Sequence, residues 1–316
     1  MRIFGFIAAK RAEHAIATMC RVLGVSRSGF CAWERREPSR RACQDASLSE
    51  VIERIHTDSR KTYGSPRVHA ELRLGHGVRV GRKRVERLMR RAELSGQVRR
   101  RRGKTTIRAQ GVRTAPDLVE RDFNPIAINR LWAADITYIR TWEGWLYLAS
   151  VMDCHSRRIV GWAIADHLRS ELVVDALEMA VARRRPDAGL VHHSDQGSQY
   201  TSLVFTRRCR TVGIDVSMGS RGDCFDNAVL ESFHATLKKD LIDRRSWPTK
   251  TEARTAVFDY IEVFYNRRRR HSLLGMLSPT DFENSTLRDD GSSLAASRLA
   301  SINKIKFNTT STAQAA

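Results

Sequence analysis

The chain lacks the cysteine patterning of a metal or disulfide scaffold. Its six cysteines, Cys20, Cys31, Cys43, Cys154, Cys209 and Cys224, form no CxxC pair and no Cys/His spacing suited to zinc. They read as reduced thiols in a cytosolic protein. Long apolar runs are also missing, which excludes a membrane span. The opening MRIFGFIAAKRAEHA is broken by Lys10, Arg11 and Glu13 before it reaches signal-peptide form. No heptad is sustained either, so a coiled-coil element of the kind that joins chains is not supplied by this sequence. Acids are scarce as well: 35 against 55 Lys+Arg, a formal charge of +20. That imbalance favours a polyanionic partner, nucleic acid first.

What is present is ordinary for a folded protein. The 316 residues are 41% hydrophobic and 28% charged, enough for a buried core and more than one domain. The positive charge is concentrated early, residues 1–125 holding 29 basic against 13 acidic side chains. The electrostatic grip is therefore expected in that part.

Residues 1–44 read as a helix-turn-helix-like segment, with Ile16, Met19, Val22 and Leu23 at helical spacing, a break at Gly24-Val25-Ser26, and Phe30 and Trp33 on a second helix that Ser26 would cap. A plain helical hairpin is the alternative. Residues 45–95 form a second helical, DNA-binding unit with helices near 47–58, 66–74 and 81–92, Pro66 suiting a first turn. In the last of these, Val85, Leu88 and Met89 can face a core while Arg82, Lys83, Arg84, Arg87, Arg90 and Arg91 form a cationic outer surface. Residues 96–128 read as a basic linker, in which Arg99, Arg100, Arg101 and Arg102 would track DNA phosphates.

From Leu131 the pattern changes to three strand-like runs joined by short turns, as in an antiparallel meander. A helix over 170–184 opened by Ser170, a short strand at 189–193, a helix over 202–211 and a strand at 213–218 follow. Such alternation predicts parallel pairing of the later strands beside the first. The fold class is α/β, a mixed five-stranded sheet flanked by helices, with a separate all-helical N-terminal region.

Three acids stand in recognisable settings: Asp135 in WAADITYI on the first strand, Asp195 in HHSDQGSQY just past the fourth, and Glu231 in DNAVLESFHATLK on the helix after the fifth. Strands 1 and 4 as parallel neighbours would set the two aspartates side by side. On the helix, Leu230, Phe233, Leu237 and Leu241 form one stripe, with Asn227, Glu231, His234 and Lys238 along its flank. Three clustered carboxylates are tolerated when divalent cations neutralise them, which points to metal-dependent phosphoryl transfer. Asp153 reads as a turn residue, and His192 and His193 as groups that brace a loop or support the site.

At this point the chain resembles the DDE transposases with a retroviral-integrase-type core, specifically the OrfB-type protein of IS3-family bacterial insertion sequences. The resemblance rests on WAADITY, HSDQGSQY, DNAVLESFHATLK, the 35 residues between Asp195 and Glu231, Lys238 seven positions after Glu231, and YNRRRRHSLLGMLSP. LGVSRSGF, TYGSPRVHAEL and RKRVERLM extend it to the helical region. It implies an RNase H-like integrase core over 129–283, with Asp135, Asp195 and Glu231 as catalytic and metal-binding triad. It further implies two Mg²⁺ or Mn²⁺ ions with DNA bound, cleavage at element ends followed by 3′-OH strand transfer, and a one-end-first route through a circular intermediate. Lys238 and Asn227 would contact DNA. The partners implied are element ends and target DNA, a homo-oligomer on DNA, and an upstream-frame OrfA-type partner or fusion; a cytoplasmic, nucleoid-associated location follows, with no membrane. Tyr265, Asn266, Arg269 and His271 also match the family pattern, and could pack on the core or touch DNA. Residues 284–316, rich in Ser, Ala, Thr and Asn, read as a disordered tail. A non-catalytic DNA-binding regulator and a nuclease that hydrolyses without joining are the competing readings.

Overall fold

The computed structural model describes residues 2–97, 115–119, 122–219 and 228–288. Arg99–Arg102, Asn227 and the tail from residue 289 lie outside them. Residues 284–288 belong to a helix that begins at 279, so the expected disordered tail starts too early. Glu283 explains the extension: its buried carboxylate pairs with Arg158 at 2.6 Å and with Arg184, which fastens the helix to the sheet domain.

Three helices open the chain: α1 (Arg2–Lys10), α2 (Ile16–Val22) and α3 (Arg27–Glu34). Ser26 caps α3 by accepting the Gly29 N–H at 3.0 Å. Ile7, Met19, Cys20 and Phe30 close a small core of their own. Next come α4 (Arg40–Asp58), α5 (Ser65–Leu74, with Pro66 in its first turn) and α6 (Arg82–Arg91). Their apolar faces join a cluster continuous with one side of the sheet domain, so this unit, separate in sequence, shares its core.

The sheet order is β3-β2-β1-β4-β5. The meander is β1 (Leu131–Thr141), β2 (Gly144–Asp153) and β3 (Ile159–Ala165), all antiparallel. Two parallel strands, β4 (Leu190–Ser194) and β5 (Ile214–Met218), extend it from the other edge of β1. Parallel pairing needs crossovers, supplied by α7 (Ser170–Arg184) and α8 (Leu203–Thr211). Ser170 is the first helical residue of α7 rather than its cap; Arg169 holds the cap position without a side-chain bond. At Gly161 of β3 an added Cβ would lie 2.2 Å from the Ala176 carbonyl of α7, so only glycine permits this close packing.

On the opposite face lie α9 (Ala228–Asp240) and α10 (Lys250–Phe258), the latter running into a π-helical turn over Asp259–Tyr265. Leu230, Phe233 and Leu237 of α9 pack with Ala133 and Ile139 of β1, as the leucine stripe predicts. Cys154 and Cys209 are buried thiols pushed up to about 12 by burial, which leaves them inert. No helix among the described residues is long and apolar enough to cross a membrane.

Candidate active site

Strand β1 pairs with β4 as Leu131↔Val191, Trp132↔His192 and Ala133↔His193. The same register, continued beyond the last pair, sets Asp135 opposite Asp195. The Asp195 carboxyl is raised above its ordinary value, first by burial and then by Asp135, against the lowering effect of the Gly197 N–H. That N–H donates to Asp195 Oδ1 at 3.1 Å and holds the loop after β4 in a tight turn. Tyr200, buried beneath, is held well above its usual range by burial and then by the same two carboxylates. Both observations locate one concentration of negative charge at this end of the sheet.

Alternation along β1 places Asp135 on the face of Ala133 and Ile139, under α9. Its side chain remains 23% exposed, so an outside group can reach it. Oδ1 accepts the Ile136 N–H at 2.8 Å, and Oδ2 lies 3.2 Å from His234 Nδ1. The other ring nitrogen of His234 is 3.3 Å from Ser150 Oγ, and Ser150 is the cross-strand neighbour of Asp135 on β2. Because an ionised carboxylate can only accept, Nδ1 carries the hydrogen in this bond, and Nε2 can accept from Ser150 in the neutral ring. The imidazole thus fixes both the Asp135 carboxylate and the position of α9. Sequence reading set His234 only on the helix flank; the available signal was its place one turn after Glu231.

Glu231 stands exposed on α9, about 60° around the helix from His234. Among the described residues no three carboxyl, imidazole or thiol groups are close enough to hold one ion together. The two aspartates are brought side by side, and Glu231 is on the helix that covers them. Lys238, further along α9, has its Nζ 4.5 Å from the centre of the Tyr138 ring.

The supporting residues separate by partner. His193 Nδ1 meets Ser217 Oγ at 2.9 Å, bracing β4 against β5. His192 is fully buried against Tyr200 and Phe205, its pKa pushed down to about 4 by burial and then by His193, and neither ring nitrogen has a hydrogen bond. Asp153 accepts the backbone N–H groups of Asn129, His155 and Ser156 at 2.7, 3.0 and 2.9 Å, closing a turn.

Among the expected DNA contacts, Arg82 and Lys83 stand exposed at the start of α6. Arg84 and Arg87 have an internal partner instead: Arg84 Nε and Arg87 Nη2 donate to Asp45 at 2.7 and 2.6 Å. Arg84 is half-buried rather than on the outer surface. Hydrogen bonds from Arg87 and then Arg84 hold the Asp45 carboxyl below its ordinary range.

The arginine-rich segment after α10 is stitched into the structure. The Asn266 amide bonds both the N–H and the carbonyl of Ile159, at 3.0 and 2.9 Å, completing the free edge of β3. Arg269 Nε donates to the buried Asp240 at 3.0 Å, and Arg270 Nε reaches Glu71 of α5 at 2.6 Å. Tyr63 accepts the Arg270 N–H at 2.7 Å. The two Arg270 contacts dock the α4–α6 unit onto the sheet domain.

A mixed sheet with an acid pair at adjoining strands 1 and 4, covered by a helix bearing a third acid, defines the class of integrase-like cores. The family models agree: the Integrase core domain matches residues 127–224 and again 212–279, and the HTH-like domain matches 43–102, the α4–α6 unit. The insertion element IS600 31 kDa protein of Shigella sonnei is 42% identical over 264 residues, 84% of this chain and 97% of the relative. Transposase InsF of insertion sequence IS3A from Escherichia coli K12 is 39% identical over 284 residues, 89% and 98% of the two chains. The chain belongs to the family of IS3 insertion-sequence transposases. Among solved structures, the HTLV-2 integrase catalytic core domain in complex with magnesium shares 16% identity, with TM-score 0.38, over 50% of this chain and 98% of that one. The simian T-cell lymphotropic virus intasome shares 15%, with TM-score 0.40, over 73% and 74%.

Proposed function

We propose that this transposase cuts and joins DNA at one site formed by Asp135, Asp195 and Glu231. The observation that carries the reading is the coupled pair: two carboxylates at neighbouring parallel strands, one with its pKa raised by burial and by the other. Among the described residues no cation side chain is in hydrogen-bonding range of Asp195, so the repulsion is not offset there, a cost that a structural acid pair would not need. Hard carboxylate oxygens suit Mg²⁺ or Mn²⁺ over zinc, so the residues present fit divalent ions. Bound there, two such ions would lower the cost of forming the attacking oxygen and offset charge on the leaving one.

The chain's own groups account for the rest. Asp135 is held at a fixed rotation by His234 and by the Ile136 N–H, with its side chain still 23% exposed. Gly197 does the same for Asp195. Glu231, on the exposed flank of α9 one turn before His234, would supply the third carboxylate for such ions. In the first step water attacks the phosphorus at the element end; a new P–O bond forms, the bond to the 3′ oxygen breaks, and the 3′-OH is freed. In the second, that 3′-OH attacks a target phosphodiester, and the target's own 3′ oxygen leaves. One acid set serves both, because each is an in-line displacement at phosphorus.

The α4–α6 unit, with Arg82 and Lys83 exposed, would grip element-end DNA, aided by Asn227, Lys238 and the basic run Arg99–Arg102. We assign two or more copies of the chain to the DNA complex, with an upstream-frame partner or fusion completing end recognition. The test is incubation of the purified chain, alone and fused to the upstream frame, with labelled element ends and Mg²⁺, against Glu231→Gln. Loss of nicking and joining together, with DNA binding retained, is expected. Unchanged activity in Glu231→Gln rejects the assignment.

A further inference from the structure

At the far end of β1 from Ala133 the sheet carries a second surface feature. The β1–β2 hairpin raises three large aromatic side chains into solvent: Trp142 at 76% exposure, Tyr138 at 58% and Trp145 at 46%. Exposed rings in such a group are unusual on a protein surface unless something covers them. They border an open groove of about 520 Å³ whose other wall is α9 and the segment after it. Its charged lining is Arg140, Lys238 and Arg245 against a single acid, Asp243. The nearby Glu143 is turned away, accepting the Lys250 N–H at the start of α10 at 2.7 Å.

The platform is braced. Tyr138 and Trp145 meet edge to face at 5.4 Å, and the Lys238 ammonium lies over the Tyr138 ring. The Trp142 N–H donates to the Trp247 carbonyl at 3.0 Å, and Thr141 Oγ1 to the Gly144 carbonyl at 2.7 Å. Gly144, at φ 110°, allows the tight reversal that lifts the rings. The Tyr138 and Trp145 rings, held by their packing, lose little freedom when a flat partner stacks on them.

Charge decides what that partner is. A second copy of this chain, at +20, would be repelled by a face with three cations and one acid, whereas a polyanion is drawn to it. Aromatic faces beside cations along a groove match the recognition of single-stranded nucleic acid, where bases stack and phosphates meet the charges. Paired bases inside a duplex cannot present their faces in this way.

We infer that the groove binds an unpaired stretch of the DNA strand leading away from the carboxylate pair, its bases stacking on Tyr138, Trp142 and Trp145 and its phosphates on Arg140, Lys238 and Arg245. Tyr138 is three residues along β1 from Asp135, an odd offset that turns it to the strand's other face. It meets the α9 side through Lys238, which lies two turns along α9 from Glu231 with its Nζ 4.5 Å from the centre of the Tyr138 ring. Each distance along its element is about 10 Å, roughly three base-pair steps. Strands opened at the cut site would therefore reach the rings within a few nucleotides. The inference rests on the reading of this site as one that acts on DNA.

The test is binding of the full chain to labelled oligothymidylate and, separately, to a labelled blunt duplex, at one salt concentration, with wild type, Trp142→Ala/Trp145→Ala and Trp142→Phe/Trp145→Phe. The alanine pair is expected to weaken oligothymidylate binding about tenfold and to leave the duplex within about twofold, with the phenylalanine pair restoring most of the loss. Unchanged oligothymidylate affinity, or equal loss on both DNAs, overturns the proposal. A shift in sedimentation of the alanine pair without a change in oligothymidylate binding assigns the face to a second copy, and also overturns it. Asp135→Asn in parallel separates the two readings: it should bind oligothymidylate like wild type and fail to cut. Cutting by Asp135→Asn would sink the active-site assignment while the groove result stood on its own binding data.

Discussion

The same two elements, β1 and α9, carry opposite chemistries at their two ends. Near Asp135 they meet the loop after β4 that carries Asp195, whose carboxyl is raised by burial and then by Asp135. Near Tyr138 and Lys238 they gather exposed rings and cations. Between these ends the interface is ordinary core, with Phe233 and Leu237 against Ile139. The contrast teaches that the two ends suit different ligands: the carboxylate end holds negative charge that a cation can neutralise, while the other end exposes rings and cations that a polyanion can cover.

The largest effect expected follows from removing one member of the acid end. Asp135→Asn should lower cleavage of a labelled element end by at least about 10²–10³-fold, with DNA binding little changed. Retained cleavage would dissolve the contrast. Next comes His234→Ala, which leaves the acids in place but frees Asp135 from its 3.2 Å bond. Divalent-cation affinity, read by titration calorimetry, should fall about 10–100-fold, and His234→Gln should restore part of it.

At the other end, Lys238→Ala should weaken DNA binding several-fold across all sequences and reduce the salt slope by about 1, leaving metal affinity intact. A loss of metal affinity there would show that the two ends are not independent. The smallest effect concerns stability. A carboxylate whose folded pKa is raised destabilises the fold above that pKa, and the penalty fades as falling pH protonates it. In the metal-free protein Asp195→Asn should therefore raise the thermal midpoint by about 1–2 °C at neutral pH, with the gain shrinking in acid. A lowered midpoint would mean that the carboxylate supports the fold.

Much of this was legible in the sequence because local periodicity and strand alternation report backbone arrangement. The meander, the crossover helices and the leucine stripe of α9 follow from spacing alone, and parallel pairing of strands 1 and 4 then sets Asp135 beside Asp195. What was not legible depends on partners distant in the chain. The His234–Asp135–Ser150 chain requires the β1–β2 register, in which Asp135 faces Ser150. The pairing of Arg84 and Arg87 with Asp45 requires the packing of α6 on α4; periodicity alone places both arginines on a surface. The YNRRRR segment could by its residues either pack on the core or touch DNA; Asn266, Arg269 and Arg270 are used for assembly, because Ile159, Asp240 and Glu71 lie next to them only in the fold. The aromatic groove was equally hidden, since alternation along β1 and β2 does not say which strand end is left uncovered.

The most direct measurement is the rate of element-end cleavage with Mn²⁺ for Asp135→Asn, Glu231→Gln and the two combined. If the acids act as one unit, the double variant is no slower than the worse single one, because either change already removes the shared function. Losses that multiply, with the double variant slower by the product of the singles, would show that Asp135 and Glu231 act at separate places and would contradict a common site.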